Sequence, residues 1–248
     1  MSANSPLQIS HGLLAALGTR VFRYYEDRIP ESGPLLVVSN HRSFMDAPIL
    51  MRSVERPIRF ACHHYMGQVP VMREIVTGQL GCFPLEVPEY RQQSFFRQAI
   101  KLLQTSQAVG VFPEGTKPMV RFSDPHDIGE FQRGFAHLAL RASLGGELAP
   151  VADLAVLPVA VASLQEVTTS AVPLKLLSLF DPSEPLFDQG GWHPLVVYSR
   201  VAVFIGRPRW ITQSQKQQYQ GKQAKTVVAD LTDHCREEIA QLLRQGYY

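Results

Sequence analysis

Two periodicities alternate along the chain. Short, nearly continuous apolar runs occur at 35–39 (LLVVS), 58–62 (IRFAC), 80–85 (LGCFPL), 108–112 (AVGVF), 154–161 (LAVLPVAV) and 195–206 (LVVYSRVAVFIG). Runs of this kind predict strands buried on both faces. Between them, apolar residues recur at helical spacing, which predicts helices near 46–54, 70–78, 91–105, 132–143 and 223–245. The third and fifth have clean apolar faces: Phe95, Phe96, Ala99, Ile100, Leu102 and Leu103 in one, and Val228, Leu231, Cys235, Ile239 and Leu242 in the other. Strands alternating with helices predict an α/β fold, a single domain whose mostly parallel central sheet is covered by helices.

The two regions outside this rhythm carry separate expectations. Residues 7–28 predict an N-terminal amphipathic helix, with Leu13, Leu14, Leu17, Val21, Tyr24 and Tyr25 on one stripe and Arg20, Arg23 and Arg28 beside it. Such a helix either packs on the core or lies in a membrane interface. The expected division is an N-terminal amphipathic helix at 1–28, packed on the core or associated with a membrane, and a main domain at 29–248. Within that domain, residues 165–194 are rich in Pro, Gly and apolar residues. A long connection of this kind reads as a lipid-facing flap or as a surface insertion.

Composition narrows the class. A chain of 248 residues can bury a core without staples. A net charge of +2 gives no reason to expect nucleic acid. Cys62, Cys82 and Cys235 form no C-x-x-C pair and read as reduced thiols. The neighbours His63 and His64 in "CHHY" would point to opposite faces of an extended segment, and the other histidines are scattered. No metal is predicted. Residues 1–10 show no leader pattern. The most apolar stretch is interrupted by Pro150, Asp153 and Pro158, so no spanning helix is predicted.

Candidate chemistry sits where two apolar runs stop. In "VVSNHRSFMDAPIL" (37–50) a strand ends at Asn40-His41, and Asp46 follows five residues later. On one helix these positions would point about 140° apart. They meet if His41 lies in the loop and Asp46 opens the helix, which Pro48 favours. Asp46 also reads as a helix cap, and Ser43 with Asp46 has capping-box spacing. In "VGVFPEGTKP" (109–118) a second strand ends in Pro113-Glu114-Gly115-Thr116, followed by Lys117. Gly115 allows close backbone approach, and Glu114 and Lys117 can meet hydroxyls and phosphate. Both loops fall at carboxyl ends of predicted strands, where open α/β sheets bind ligands.

"NHRSFMD" resembles the N-H-x4-D motif of the glycerolipid acyltransferases, the family of 1-acyl-glycerol-3-phosphate acyltransferases, and "FPEGTK" resembles their F-P-E-G-T-[RK] motif. Their order and separation match as well. "FQRGFAHLAL" (131–140) and "VLPVAV" (156–161) extend the resemblance across roughly residues 30–162. The resemblance implies that His41 is a general base acting on an acceptor hydroxyl. Asp46 would orient it, and Glu114, Gly115, Thr116 and Lys117 would hold the acceptor's glycerol and phosphate. It implies an acyl thioester donor, on acyl-carrier protein or coenzyme A, no cofactor, and a site at the cytoplasmic surface of a membrane. The acceptor implied is a lysolipid, 1-acyl-glycerol-3-phosphate first, giving phosphatidic acid. One position departs from the family: a phosphate-binding arginine is expected near Val87, and either Arg91, four residues on, replaces it or the contact is absent. Three other readings stand beside this one: another lysolipid head group, a thioester or lipid hydrolase, and a non-catalytic lipid-binding protein.

Overall fold

A computed structural model of the chain describes residues 5–62, 73–86, 89–115, 128–145, 149–173 and 192–245. The elements run α1 (Ser5–Ala16), β1 (Arg20–Tyr24), β2 (Leu35–Ser39), α2 (Asp46–Val54), β3 (Ile58–Cys62), β4 (Phe83–Pro84), α3 (Arg91–Gln104), β5 (Ala108–Val111), α4 (Gly134–Leu144), β6 (Ala155–Pro173), β7 (Trp192–Ile205), β8 (Arg209–Trp210), α5 (Gln213–Gln220) and α6 (Ala224–Gln245). A 3₁₀ turn (Glu26–Arg28) and a π-helical turn (Arg73–Gln79) complete the described chain.

The strands form one sheet in the order β1-β7-β6-β2-β5-β3-β4, with β8 pairing β6. Among the described residues, β6 pairs antiparallel with β7 and β8, and the other pairs are parallel. Alternating side chains feed two cores. Leu35 and Val37 of β2 join Ile49, Leu50, Met51 and Val54 of α2 on one face. Leu36 and Val38 join Ala99 and Leu103 of α3, Phe135 of α4 and Leu231 of α6 on the other. Apart from Ala99, each such side chain stabilises the fold by about 1.5–3 kcal/mol when fully buried. The chain leaves β2 over the first face and β5 over the second. The carboxyl ends of these neighbouring strands therefore flank a switch point, the place where such sheets take ligands.

The N-terminal region corrects one expectation. The helix predicted over 7–28 ends at Ala16, and Arg20–Tyr24 is an edge strand parallel to β7. The reason is local. Gly18 has φ +66°, its N–H donates to Ala15, and the Thr19 N–H donates to Leu14. This pair of bonds is a Schellman stop, and a glycine just past a helical run is its usual signal. The apolar stripe is accordingly split. Leu14 is buried against the core, while Leu17, Tyr24 and Tyr25 are exposed. Helix α1 packs on α2, with the Ser10 hydroxyl 3.3 Å from the Met51 sulfur, so it belongs to the helical layer.

Other boundaries move less. The strand predicted over 80–85 contracts to Phe83–Pro84, while the one over 154–161 extends to Pro173. The extended β6 and β7 take up both ends of the 165–194 segment; its middle, 174–191, lies outside the described residues. His63 and His64 lie outside them as well.

Candidate active site

Everything at the site depends on how the chain turns after β2. Asn40 is clipped to β6: its amide nitrogen donates to the Val161 carbonyl at 2.9 Å, and its amide oxygen accepts from the Val161 N–H at 2.9 Å. The loop then folds over the Asp46 carboxylate. Oδ2 accepts from the backbone N–H of Arg42 at 2.7 Å and of Ser43 at 2.8 Å, and His41 Nδ1 lies 2.8 Å away. Ser43 Oγ accepts from the Met45 N–H and donates to the Val196 carbonyl. The capping reading and the His-Asp reading of Asp46 thus describe one arrangement, in which the carboxylate that organises the loop also holds the imidazole.

Asp46 is fully buried. Burying an ionised carboxylate costs several kcal/mol, which only a full set of donors offsets. Tyr198 of β7 supplies another, its hydroxyl donating to Oδ1 at 3.0 Å. Burial, and then the Asp46 carboxylate beside it, hold that phenol well above its ordinary pKa, so it stays a donor. With Nδ1–H given to Asp46, the neutral imidazole of His41 keeps Nε2 as its basic nitrogen.

The second loop closes against the first. Glu114 Oε1 accepts from the His41 N–H at 3.1 Å, and Oε2 accepts from the Gly129 N–H at 2.9 Å. Glu114 therefore ties three loop segments together through backbone donors. Phe112 stacks on the His41 ring, centroids 4.0 Å apart, and Phe60 stacks on Phe112 at 5.1 Å. Phe60 lies across from Gly110 in the β3–β5 register. A Cβ on Gly110 would come within 2.1 Å of the Phe60 ring, so glycine at this position makes room for the stack.

A cavity of about 260 Å³ opens beside these rings, lined by Phe60, Leu85, Arg91, Phe95, Phe112 and Gly115 among others. Its wall is apolar except near Arg91, and Gly115 reaches it with φ +77°. Cys62 also lines it, and burial pushes that thiol up to about 12, which removes it as a nucleophile. Arg42 turns to a bidentate pair with Glu166 of β6, with a shortest contact of 2.7 Å; the Glu166 hydrogen bonds hold the guanidinium pKa above its ordinary value. Among the described residues, no three His, Cys, Asp or Glu side chains converge as a metal site would require.

Of the residues singled out from the sequence, His41, Asp46 and Glu114 share one bonded network, and Gly115 and Arg91 face the adjoining cavity. Thr116, Lys117 and Val87 lie outside the described residues. Sequence reasoning missed Phe112, Gly110 and Tyr198. The first two stand inside the quoted "VGVF" run and were open to notice; Tyr198 stands in no motif.

A family model described as "Acyltransferase" matches residues 20–162, more than half of the chain. The chain belongs to the acyltransferase family. An uncharacterized protein of Mycobacterium tuberculosis (strain H37Rv) is 28% identical over 235 residues, covering 88% of this chain and 59% of that protein. The chain thus spans about three-fifths of the length of the first curated relatives it matches. A 1-acyl-sn-glycerol-3-phosphate acyltransferase of Borreliella burgdorferi is 24% identical over 135 residues, 54% of this chain and 51% of that one. Among solved structures, the 1-acyl-sn-glycerophosphate acyltransferase of Thermotoga maritima shares the fold, with a TM-score of 0.58 and 18% identity over 96% of this chain and 79% of that one. The segment matched by the acyltransferase model holds His41, Asp46, Arg91, Glu114 and Gly115; Tyr198 lies beyond it.

Proposed function

We propose that the chain moves a fatty acyl group from an acyl thioester to the free hydroxyl of a lysolipid. The observation that carries this reading is the 2.8 Å contact between His41 and Asp46 at the carboxyl edge of the sheet, beside an apolar cavity. His41 Nε2 takes the proton of the acceptor hydroxyl as that oxygen attacks the thioester carbonyl. The new C–O bond forms and the C–S bond breaks. The imidazolium returns its proton to the departing thiolate. Asp46 holds the ring and stabilises its cationic form, the logic of a catalytic triad with the substrate's hydroxyl in place of serine.

Glu114 serves this site by fixing the His41 backbone, and we assign Gly115, Thr116 and Lys117 to holding the acceptor's glycerol and phosphate. The acceptor we favour is 1-acyl-glycerol-3-phosphate, giving phosphatidic acid. Arg91 supports a phosphate end, since it lines the cavity at the start of α3, and the printed name of the Borreliella relative points the same way. The donor is an acyl-carrier-protein or coenzyme A thioester. The substrates are lipids, and Phe44 is 44% exposed in the loop that carries His41, so we place the site at a membrane surface. Among the described residues no helix is long and apolar enough to cross a membrane.

The test is a mass-spectrometric transfer assay with a panel of lysolipids and both thioester types, with His41→Ala alongside. Phosphatidic acid formed by the wild type and lost in the variant is the expected result. Product from another lysolipid alone keeps the chemistry and changes the acceptor. Free fatty acid released without any acceptor turns the reading to hydrolysis. Full turnover by His41→Ala defeats the general-base mechanism.

A further inference from the structure

We propose that Tyr198 is a positioning residue for the His41–Asp46 pair, its hydroxyl fixing the Asp46 carboxylate so that Oδ2 stays on the imidazole. This rests on the reading of His41 as general base. The donors on Asp46 are unevenly distributed. Arg42 N–H, Ser43 N–H and His41 Nδ1 all address Oδ2, and all come from one short loop. These bonds hold Oδ2, but none of them satisfies Oδ1, the other oxygen of the same fully buried carboxylate. Tyr198, from β7, addresses Oδ1 and gives the carboxylate a second point of attachment.

Tyr198 is itself held firmly. Its side chain is only 1% exposed. The Thr19 hydroxyl donates to its carbonyl at 2.9 Å, and its N–H points at the Met45 sulfur at 3.4 Å. It owes its orientation to irregular pairing between β6 and β7. On the face of the sheet that packs on α2, β7 contributes Val196, Tyr198, Val201, Val203 and Ile205, so the period of two slips between 198 and 201. The pairing register shifts at the matching point, between Ser163, Gln165 and Glu166. Bulges of this kind re-aim side chains and are frequent beside active sites. Here the shift puts Tyr198 over Asp46 and its cross-strand partner Glu166 against Arg42.

A tyrosine that merely filled the core would also bond its hydroxyl, so the test has to read the chemistry. The charged and titratable groups around the pair are His41 and Arg42 from the loop after β2, Glu114 from the loop after β5, Glu166 from β6 and Asp46 itself. Tyr198→Phe removes one oxygen and leaves these in place. Loss of a donor to the carboxylate favours the protonated state of both partners in the pair. The acid limb of kcat therefore moves to higher pH. Tyr198 does not line the cavity, so KM for donor and acceptor stays where it was. A hydrogen bond to a charged group that matters in the transition state corresponds to roughly a tenfold loss of kcat or more.

The experiment measures kcat, KM and the pH profile of full-length wild type, Tyr198→Phe and His41→Ala with 1-oleoyl-glycerol-3-phosphate and palmitoyl-coenzyme A, or with the best pair of the lysolipid panel. A thermal melt accompanies each variant. Placing 3,5-difluorotyrosine at position 198 keeps the shape and strengthens the donor, which should move the acid limb to lower pH without loss of fold. A tenfold fall in kcat at constant KM, with the limb moving in opposite directions in the two variants, supports the proposal. If the limb moves in neither, Tyr198 is a packing residue and the proposal is overturned, while an inactive His41→Ala leaves the mechanism standing. An active His41→Ala overturns both.

Discussion

The loops that follow β2 and β5 end neighbouring parallel strands, yet they are held in different ways. The loop after β2 organises itself. Within six residues it contains both the Asp46 carboxylate and the three groups that address Oδ2. The loop after β5 is organised by reach: Glu114 spans to His41 in one direction and to Gly129 in the other, and the Gln132 N–H closes on the Pro113 carbonyl. The first loop places the chemistry, and the second locks it against the cavity. A self-contained loop can be written in a short motif, whereas a reaching one needs the rest of the fold to supply its partners.

Substitutions test this division from opposite ends. The largest effect falls in the first loop. His41→Ala should reduce transfer by roughly 10²–10⁴-fold, the usual contribution of a positioned base, with the melting curve nearly unchanged. Asp46→Asn comes next. It should lower turnover about a hundredfold and also lower stability, because an amide cannot accept from all the donors that the carboxylate satisfies. A variant as stable and active as the wild type would mean that the loop does not depend on this charge. Glu114→Gln breaks the second loop. One of two backbone donors loses its acceptor, so stability should fall by about 1–3 kcal/mol and turnover by less than in Asp46→Asn. A loss as large as that of His41→Ala would place Glu114 in the chemistry itself.

Smaller effects lie further out. Gly110→Ala drives a methyl group into the Phe60 ring, which cannot move without disturbing the stack on Phe112 and His41. Overpacking of this kind costs about 1–3 kcal/mol, visible in a denaturant titration. A modest fall in kcat should accompany it. Gly18→Ala should cost about 1 kcal/mol and leave turnover untouched. Nothing lies within 4 Å of the added methyl group, so only the positive φ is strained.

The sequence by itself determined the alternating α/β plan, most strand and helix positions, and the placing of two polar loops at the carboxyl edge of the sheet. These follow from local periodicity and from residues close together along the chain, as with His41 and Asp46. It also contains the stop at Gly18, although the helical spacing of the apolar stripe continues past that glycine. Only the tertiary structure decided the rest. Whether 20–24 is helix or strand depends on β7 offering an edge to pair with. Whether Glu114 faces substrate or backbone depends on where Gly129 and His41 come to lie. Tyr198 meets Asp46 across 152 residues of sequence, and only because β6 and β7 slip register. Alternation counted back from Val201, Val203 and Ile205 would have turned Tyr198 to the other face. A bulge is fixed by the fit of two strands, and neither strand's sequence records it alone.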